Sequence, residues 1–450
     1  MTSTLVLSTF CFNSIMLALS SFGSSTDGSS RRKDTHAYNC LVQVLVSAGE
    51  ASGEMYGAQL IEALRRRVAI PACVGTGLLP VQAGQSPAST QAGQLEFFGA
   101  GGERMRAAGC EIVVDAKDLA VVGITEILSR LPTILGLYRK LIRAADEKRP
   151  ALAIVIDSPA FNWRVARQMH KRGIPVVYYV CPQFWAWRQG RVKLLRKYVD
   201  KALVIFPFEE KFYRERGVEA TFVGHPLADL PLPAISRERY GAENQLDAAK
   251  PWFTLMPGSR RKEVRMNLPT ILAAADRLGP GYEFLIPIAR TLDASFLRGL
   301  IGAPRAETRQ TASLQKNIHL VPEALPALHH SRAGIVASGT ATVEAALTGT
   351  PFVMVYRVSR LTYALGKPRV KVPYFAMVNL IAEEQVVPEL VQHKFTVENI
   401  VSEINKIIPD GEPRTRMIER FAAVKARLKR EDGAAHASET AAEIIVKMIR

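Results

Sequence analysis

The sequence has 450 residues, of which 48% are hydrophobic and 22% are charged. These fractions are typical of globular proteins and exclude an intrinsically disordered chain. The formal net charge of +16 indicates anionic partners: nucleic acid, an acidic membrane surface or phosphorylated substrates. Five scattered cysteines without a Cys-x-x-Cys pair disfavour a disulfide framework and a zinc site, and they favour a reducing compartment.

The first forty residues differ from the rest. Residues 5–19 are mostly apolar, but they lack the positively charged start of a secretory signal and are too short to span a bilayer. We interpret residues 1–40 as a disordered extension or as the result of a start codon assigned too far upstream, with a weak signal anchor as the alternative. No later segment has ~18 uninterrupted apolar residues, so no membrane span is expected there.

From Leu41 onward, short apolar runs alternate with longer amphipathic segments. This alternation predicts parallel sheets with helices on both faces, which is the α/β class. Predicted strands cover residues 41–47, 95–99, 151–156, 175–180, 201–206, 220–223, 252–256, 282–288, 318–320, 333–336 and 351–356. Predicted helices lie near residues 56–67, 162–172, 190–198 and 267–278 and begin near Glu103 and Thr342.

A polar, proline-rich stretch at residues 227–247 interrupts this alternation, which then restarts. We therefore predict a first half over residues 41–229, a linker over 230–250 and a second half over 251–413. Residues 414–450 are predicted to form helices that pack back across the two halves. Residues 79–94 are typical of a flexible surface insertion.

The strongest local signal is VASGTATVEAALTGTPFV, residues 336–353. A buried strand ends at Ser338, Gly339 and Thr340, and a helix begins there with Glu344 in its early turns. Free N–H groups and the helix dipole make such a start an anion site, and Glu344 could accept hydrogen bonds from ribose hydroxyls. The alternative is a plain strand–loop–helix with Ser338 or Thr340 as N-cap.

A second signal is LMPGSRRKEVRMNLP, residues 255–269, in which Ser259 and Arg260 follow a predicted strand. Arg260 could clamp a phosphate with its planar fork of donors. A solvated basic helix face is the alternative, chiefly for Arg261 and Lys262. Two anion-suited strand ends in one half favour a diphosphate nucleotide, bound outside the carboxyl ends of the strands.

In the first half, Asp157 directly follows an apolar strand in IVIDSPAFNW. A partly buried carboxylate at this edge is a candidate general base, whereas an Asp that caps the next helix is the alternative. His225 lies in FVGHPLAD at the mouth of the linker, where the two halves should face each other. A structural histidine is the alternative there.

Three basic stretches also carry apolar or aromatic residues, at 127–143, 181–201 and 360–382. Together they favour contact with acidic lipid, although each alone is compatible with core packing and snorkelling cations. Nucleic acid binding would rest on charge alone and is not expected, because no recognised motif is present.

A series of motifs resembles the lipid-A-disaccharide synthase family over nearly the whole chain from Ala48 to Leu390. The matching stretches, in order, are AGEASGEMYGA, GAGGERMRAAGC, VVGITEIL, IDSPAFN, WAWRQGRV, PFEEKFY, FVGHPLAD, PGSRRKEV, ASGTATVEAAL, YRVSRLTY, VKVPYFAMVNLIA and VVPEL. The resemblance implies two Rossmann-like domains facing a cleft, the GT-B glycosyltransferase type, with the acceptor in the first domain and the UDP-sugar in the second.

The family joins UDP-2,3-diacylglucosamine to 2,3-diacylglucosamine 1-phosphate and gives a β-1,6 disaccharide and UDP, without a metal or cofactor. The implied partners are these acylated glucosamines and the phospholipid surface of the inner membrane, with the enzyme peripheral on its cytoplasmic face. A homodimer is left open. By motif, Asp157 matches the acid that deprotonates the acceptor 6-hydroxyl. Arg260 matches the donor-side arginine, Glu344 the acid near the ribose, and Asn379 a donor-side asparagine.

The glycine-rich stretch VSAGEASGEMYGA, residues 46–58, has neither the G-x-G-x-x-G nor the P-loop spacing. It also lies in the first half, whereas both anion-suited strand ends lie in the second. We therefore expect its glycines to let the first helix approach the cleft, with Glu50, Ser52 and Gly53 on the acceptor side.

The sequence departs from the family pattern at two places. Ala160 stands where members commonly have a second Asp, and Met377 and Val378 replace the usual Leu-Pro before Asn379. Two alternatives follow. Another UDP-sugar enzyme of this fold, such as the lipid II N-acetylglucosaminyltransferase or a UDP-N-acetylglucosamine 2-epimerase, is disfavoured by AGEASG and WAWR. A non-catalytic UDP-sugar binder at the membrane surface is motivated by Ala160.

Overall fold

The computed structural model describes residues 41–49, 51–68, 95–119, 124–186, 189–229, 231–302, 316–359, 362–364, 370, 372–430 and 436–449. The predictions made for residues 1–40 and for the insertion at 79–94 lie outside these ranges. Within them, no helix combines the length and the apolar character needed to cross a bilayer.

The first half contains a seven-stranded parallel sheet with the order β3-β2-β1-β4-β5-β6-β7. Its strands are β1 (Val42–Ala48), β2 (Leu95–Gly101), β3 (Cys110–Asp115), β4 (Leu152–Ile156), β5 (Val176–Tyr179), β6 (Lys201–Val204) and β7 (Ala220–Phe222). The accompanying helices are α1 (Ala51–Val68), α2 (Glu103–Ala107), α3 (Ala116–Leu119), α4 (Ile124–Lys148), α5 (Pro159–Lys171), α6 (Val192–Tyr198) and α7 (Pro207–Arg214).

The second half contains a six-stranded parallel sheet with the order β10-β9-β8-β11-β12-β13. Its strands are β8 (Trp252–Met256), β9 (Glu283–Pro287), β10 (Ile318–Val321), β11 (Ala333–Ala337), β12 (Phe352–Tyr356) and β13 (Glu389–Val391). The helices of this part are α8 (Arg237–Glu243), α9 (Arg261–Leu278), α10 (Ala294–Ile301), α11 (Ala324–His330), α12 (Thr340–Leu347), α13 (Met377–Ala382), α14 (Val397–Ile407), α15 (Glu412–Arg427) and α16 (Ala437–Ile449).

The predicted alternation of strands and helices is confirmed, and the composition of the strands explains why. Every residue of β4 and of β11 is buried, because helices cover both faces of each sheet. The helices begin earlier than predicted: α1 begins at Ala51, α5 at Pro159 and α9 at Arg261. Their first turns consist largely of small or polar residues, so the apolar period that reveals a helix in the sequence starts only later.

Both sheets reverse their strand order once, between β1 and β4 in the first and between β8 and β11 in the second. In open parallel sheets, ligands bind outside the carboxyl ends of the strands at such a reversal. These two points are therefore where we expect the binding residues.

The stretch 230–250, expected as a linker, contains a helix that packs on the second half. The ring of Tyr240 in α8 lies 6.2 Å from that of Trp252, and the guanidinium carbon of Arg237 lies 3.7 Å from the centre of the Trp252 ring. This part of the chain thus belongs structurally with the second sheet.

The C-terminal helices connect the two halves. Phe421 of α15 stacks on Phe352 of β12 with ring centres 5.7 Å apart. The next helix, α16, returns to the first half, where Glu439 accepts hydrogen bonds from Arg66 at 2.6 Å and Arg67 at 3.3 Å in α1. The chain therefore crosses back from the second sheet to the first at its end.

Candidate active site

The loop that follows β4 carries Asp157 at the reversal point of the first sheet. Asp157 is only 5% exposed. Its φ of 48° and the φ of 45° at Ser158 place two successive non-glycine residues in the left-handed region. Such a conformation is strained, and it persists only where the surrounding structure enforces it, which is common at functional sites.

The backbone of Asp157 is held by three neighbours. Its carbonyl oxygen accepts a hydrogen bond from the Asn162 amide at 2.9 Å and another from the Tyr178 hydroxyl at 2.8 Å. Its N–H donates to the carbonyl of Tyr179 at 3.2 Å. These bonds fix the direction in which the Asp157 carboxyl group leaves the chain.

Asn162 links the ends of β1 and β4. It is fully buried, its Nδ2 also donates to the carbonyl oxygens of Ser47 at 3.0 Å and Ile156 at 2.8 Å, and its Oδ1 accepts from the Ser47 hydroxyl at 2.7 Å. Sequence reasoning gave Asn162 no role, although a buried asparagine on the apolar face of α5 is the signal that could have identified it.

The glycine-rich stretch packs directly against the Asp157 loop. A β-carbon on Gly49 would lie 2.4 Å from the Ser158 hydroxyl oxygen, and one on Gly53 would lie 3.7 Å from the β-carbon of Asp157. Gly49 therefore permits the close approach of the end of β1 to this loop, whereas the predicted approach of the first helix to an acceptor stays a prediction. Ser52 is partly exposed in the first turn of α1, and Glu50 lies outside the described residues.

Tyr56, which sequence reasoning did not single out, faces the second half from α1. Burial raises its pKa above the usual value, and the negative charges of Glu344 and Asp157 raise it further. Burial also raises the pKa of Glu344 itself, which projects from α12. The predicted base and the predicted ribose acid, which follow strands of different sheets, thus both act electrostatically on one tyrosine.

The loop after β11 lies at the reversal point of the second sheet. Ser338 donates through its hydroxyl to the carbonyl of Phe375 at 2.8 Å. Gly339 has a φ of 142°, which a residue with a β-carbon rarely adopts, and Thr342 donates to its carbonyl at 2.8 Å. As the N-cap of α12, Gly339 supplies no side-chain hydrogen bond to the helix, which begins at Thr340. This helix start therefore keeps the features of an anion site.

The loop after β8 is arranged differently. The N–H of Ser259 donates to the Glu263 carboxylate at 3.3 Å, and Arg260 lies 3.9 Å from the same group. The Thr291 hydroxyl donates to the carbonyl of Ser259. A protein carboxylate therefore already contacts this backbone N–H, so the predicted contribution of this loop to anion binding depends on the partly buried Arg260 more than on the backbone of Ser259.

Asn379 does not offer its side chain to the cleft. It is fully buried; its Nδ2 donates to the Val387 carbonyl at 3.0 Å and to Glu389 at 2.9 Å, while its Oδ1 accepts from Val386 and Val387 N–H groups at 2.8 and 2.9 Å. These four bonds use the full capacity of an amide. The expectation that Asn379 binds the donor directly is therefore revised to a supporting role.

His225 is likewise buried rather than open to the cleft, with 2% exposure. Its ring Nδ1 accepts from the Leu227 N–H at 3.1 Å, and its backbone N–H donates to the Leu428 carbonyl at 2.9 Å. Burial lowers the pKa of His225 to about 3, so the ring is neutral at physiological pH. These contacts are those of a structural residue, the alternative raised from the sequence.

The sequence-predicted residues thus form two groups: Asp157, Ser52 and Gly53 at the first reversal point, and Ser338, Gly339, Thr340 and Glu344 at the second. Arg260 and Ser259 flank the second group at the end of the adjacent β8. Among the residues that the structure describes, no cluster of three or more His, Cys, Asp or Glu side chains is arranged to hold a metal ion.

Comparison with known proteins gives concordant results. Residues 44–445 match the sequence profile of the lipid-A-disaccharide synthetase family. Lipid-A-disaccharide synthase from Koribacter versatilis (strain Ellin345) is 48% identical over 408 residues, covering 91% of this chain and 99% of that protein. The synthase from Acidobacterium capsulatum is 47% identical over 401 residues, covering 88% and 94%.

Among solved structures, the calicheamicin glycosyltransferase CalG4 superposes with a TM-score of 0.52 at 15% identity, covering 91% of this chain and 98% of that one. At this identity the likeness concerns the fold alone. It confirms the predicted class, two Rossmann-like α/β units of the glycosyltransferase type.

Proposed function

The chain belongs to the lipid-A-disaccharide synthase family, and from this membership we propose that it condenses UDP-2,3-diacylglucosamine with 2,3-diacylglucosamine 1-phosphate to form the lipid A disaccharide and UDP. The observation that carries the proposal is the match over residues 44–445. It is supported by the placement of Asp157 and of the Ser338–Thr340 helix start at the two reversal points.

We propose Asp157 as the general base. In the reaction, the acceptor 6-hydroxyl oxygen forms a bond to C1 of the donor sugar while the bond between C1 and the diphosphate oxygen breaks. The hydroxyl proton passes to the Asp157 carboxylate, and the electron pair of the broken bond leaves with UDP. Attack in line with the leaving group converts the α-linked donor into a β-1,6 product, so the enzyme inverts the configuration. Three hydrogen bonds to the Asp157 backbone support this role, because a base must be held in its productive direction.

The leaving diphosphate acquires negative charge as the bond breaks. The start of α12 at Thr340 presents backbone N–H groups and the positive end of the helix dipole, and Arg260 adds a fixed cation from the neighbouring strand end. We propose that these groups stabilise UDP without a metal, with Glu344 accepting hydrogen bonds from the ribose.

Both substrates carry acyl chains, so the enzyme must meet them at a lipid surface. We propose peripheral association with the cytoplasmic face of the inner membrane, supported by the formal net charge of +16. Co-sedimentation with vesicles of anionic phosphatidylglycerol, but not of phosphatidylcholine alone, is the expected result. Equal recovery with both vesicle types would contradict an electrostatic association.

UDP release from the two acylated substrates tests the catalytic proposal. The wild-type protein should release UDP and form the β-1,6 disaccharide, whereas Asp157→Asn should lose about 100- to 10,000-fold in kcat and still bind UDP, because removing a general base leaves the donor site intact. Asp146→Asn, which alters an exposed ion pair with Arg172, is the matched control and should keep wild-type turnover.

Two outcomes would overturn the proposal. A wild-type protein that binds UDP but releases none from the substrates would be a non-catalytic UDP-sugar binder. An Asp157→Asn variant with wild-type kcat would remove Asp157 from the role of base.

A further inference from the structure

The carboxylate of Glu389, at the start of β13, lies at the N-terminus of α13. Its Oε1 accepts hydrogen bonds from the N–H of Phe375 at 3.0 Å, the N–H of Ala376 at 2.8 Å and the Asn379 amide at 2.9 Å. Its Oε2 accepts from Phe375 at 3.0 Å. One side chain thus satisfies two backbone donors that precede the helix, together with a buried amide.

Asn379 extends this arrangement to the chain before β13. Its remaining hydrogen bonds hold Val386 and Val387, the residues that lead into the strand. Glu389 and Asn379 therefore fasten the start of α13 and the start of β13 to each other as one unit, which is buried or half-buried throughout.

Phe375 connects this unit to the loop after β11. Its N–H is bound by Glu389, while its carbonyl oxygen accepts the Ser338 hydroxyl at 2.8 Å. Its ring also stacks on Tyr356, at the end of β12, with centres 6.0 Å apart. A short path of hydrogen bonds consequently runs from the Glu389 carboxylate through one residue to Ser338, which immediately precedes Gly339 and the start of α12.

The starts of α12 and α13 differ in whether a protein carboxylate already binds their backbone N–H groups. The Glu389 carboxylate accepts the N–H groups of Phe375 and Ala376, so these two donors are not open to an anionic ligand. The start of α12 has a glycine N-cap, which makes no side-chain hydrogen bond. A diphosphate that enters this part of the cleft is therefore directed to α12, and its binding depends on where Ser338 and Gly339 lie.

We propose that Glu389 is a positioning residue for the UDP part of the donor. Through Phe375 it holds Ser338, and thereby the start of α12, in the conformation that receives the diphosphate. The inference rests on the proposed function for the identity of the donor, but it concerns a residue that touches no substrate.

Two substitutions at Glu389 separate its hydrogen bonds from its charge. Glu389→Ala removes every bond to Phe375, Ala376 and Asn379. Glu389→Gln keeps a neutral oxygen in place of Oε1, which accepts from all three donors, and loses only the second bond of the Phe375 N–H, which Oε2 accepts in the wild type. Glu243→Ala, which removes an exposed carboxylate from α8, is the matched control.

We expect Glu389→Ala to raise the KM for the UDP-sugar and the Kd for UDP about tenfold, the equivalent of one charge-assisted hydrogen bond, with the KM for the acceptor unchanged. Glu389→Gln should stay within about threefold of the wild type, because it keeps the positioning bonds. Ser338→Ala tests the path: in its background, Glu389→Ala should have little additional effect on UDP binding, because the shared link is already broken.

Calorimetric titration with UDP keeps this test separate from catalysis. If the wild type binds UDP but does not turn over, the proposed function fails while the role of Glu389 is still measured. Unchanged UDP affinity in folded Glu389→Ala, equal changes in the KM of both substrates, or full additivity with Ser338→Ala would each overturn the inference. If Glu389→Ala does not fold, Ser338→Ala and Glu389→Gln carry the test: the inference requires weaker UDP binding in Ser338→Ala and an affinity within about threefold of the wild type in Glu389→Gln. Unchanged UDP affinity in Ser338→Ala, or a loss in Glu389→Gln as large as that of Ser338→Ala, would overturn it.

Discussion

Substitution of Gly49 by alanine tests how tightly the end of β1 packs against the loop that carries Asp157 and Ser158. A β-carbon at this position would lie 2.4 Å from the hydroxyl oxygen and 2.8 Å from the β-carbon of Ser158. Ordinary contacts between such atoms begin near 3.4 Å, so Ser158 must move by about 1 Å. Because Ser158 directly follows Asp157, and both have left-handed φ values, we expect Asp157, the proposed general base, to move with it.

A displacement of about 1 Å at a reacting group costs about 100-fold in rate, whereas overpacking costs about 1–3 kcal/mol in the free energy of unfolding. We therefore expect Gly49→Ala to fold, to bind UDP as the wild type does, and to lose about two orders of magnitude in kcat. UDP release under saturating substrates measures the loss, and thermal unfolding verifies the fold.

Two further variants serve as a control and as a rescue for Gly49→Ala. Gly299→Ala adds the same methyl group on α10, where it would meet nothing within 4 Å, so kcat should stay unchanged. Ser158→Gly removes both clashing atoms, suits the φ of 45°, and breaks no side-chain cap of α5. It should restore most of the activity of Gly49→Ala. Wild-type turnover in folded Gly49→Ala, or no rescue by Ser158→Gly, would refute the reasoning.

Three further predictions concern single side chains. Ala160→Asp places a carboxylate one turn before Arg164, whose pKa is lowered to about 10 by burial. The new ion pair should raise the midpoint of thermal unfolding and the kcat and leave UDP affinity unchanged. An unaltered kcat would show that the missing acid is irrelevant to turnover. Burial lowers the pKa of His225 from 6.5 to about 3, so the wild type loses about 2 kcal/mol of its free energy of unfolding as pH falls to 5. Urea unfolding of His225→Asn at pH 7.5 and pH 5 should not show this loss. For Glu209 the pH dependence is opposite: burial raises its pKa from 4.5 to about 7, so its ionisation destabilises the fold as pH rises from 4.5 to 7. The free energy of unfolding of the wild type relative to Glu209→Gln should therefore fall by up to about 3 kcal/mol between pH 4.5 and pH 7. A difference that does not change with pH would contradict the raised pKa.

Residues that follow a buried strand could be predicted from the sequence. Asp157 comes directly after LAIVI and Ser338 directly after AGIVA, and in parallel sheets such positions meet at the ligand-binding edge. The positions of eleven of the thirteen described strands followed from the same apolar runs, whereas β3 and β13 were not predicted. These predictions needed only local information, because a strand and the loop after it are neighbours in the chain.

Residues that act over long sequence distances could not be predicted in this way. Asn162 bonds to Ser47, 115 positions earlier, and Glu389 bonds to Phe375, 14 positions earlier. Whether a polar side chain faces solvent or joins such a network depends on the packing of distant segments. For the same reason Asn379, placed by resemblance on the donor, proved to be fully used by the protein.

At three points in the structure a glutamate side chain already accepts a backbone N–H just before or at the start of a helix. Glu54 of α1 accepts from the N–H of Arg104 at the start of α2, Glu263 accepts from Ser259 before α9, and Glu389 occupies the start of α13. These N–H groups therefore already have an anionic partner within the protein. At α12, by contrast, Gly339 makes no capping bond, and Glu344 lies one turn farther along the helix. On the proposed function, we expect the diphosphate of UDP to contact the start of α12 rather than the three N–H groups that Glu54, Glu263 and Glu389 already bind.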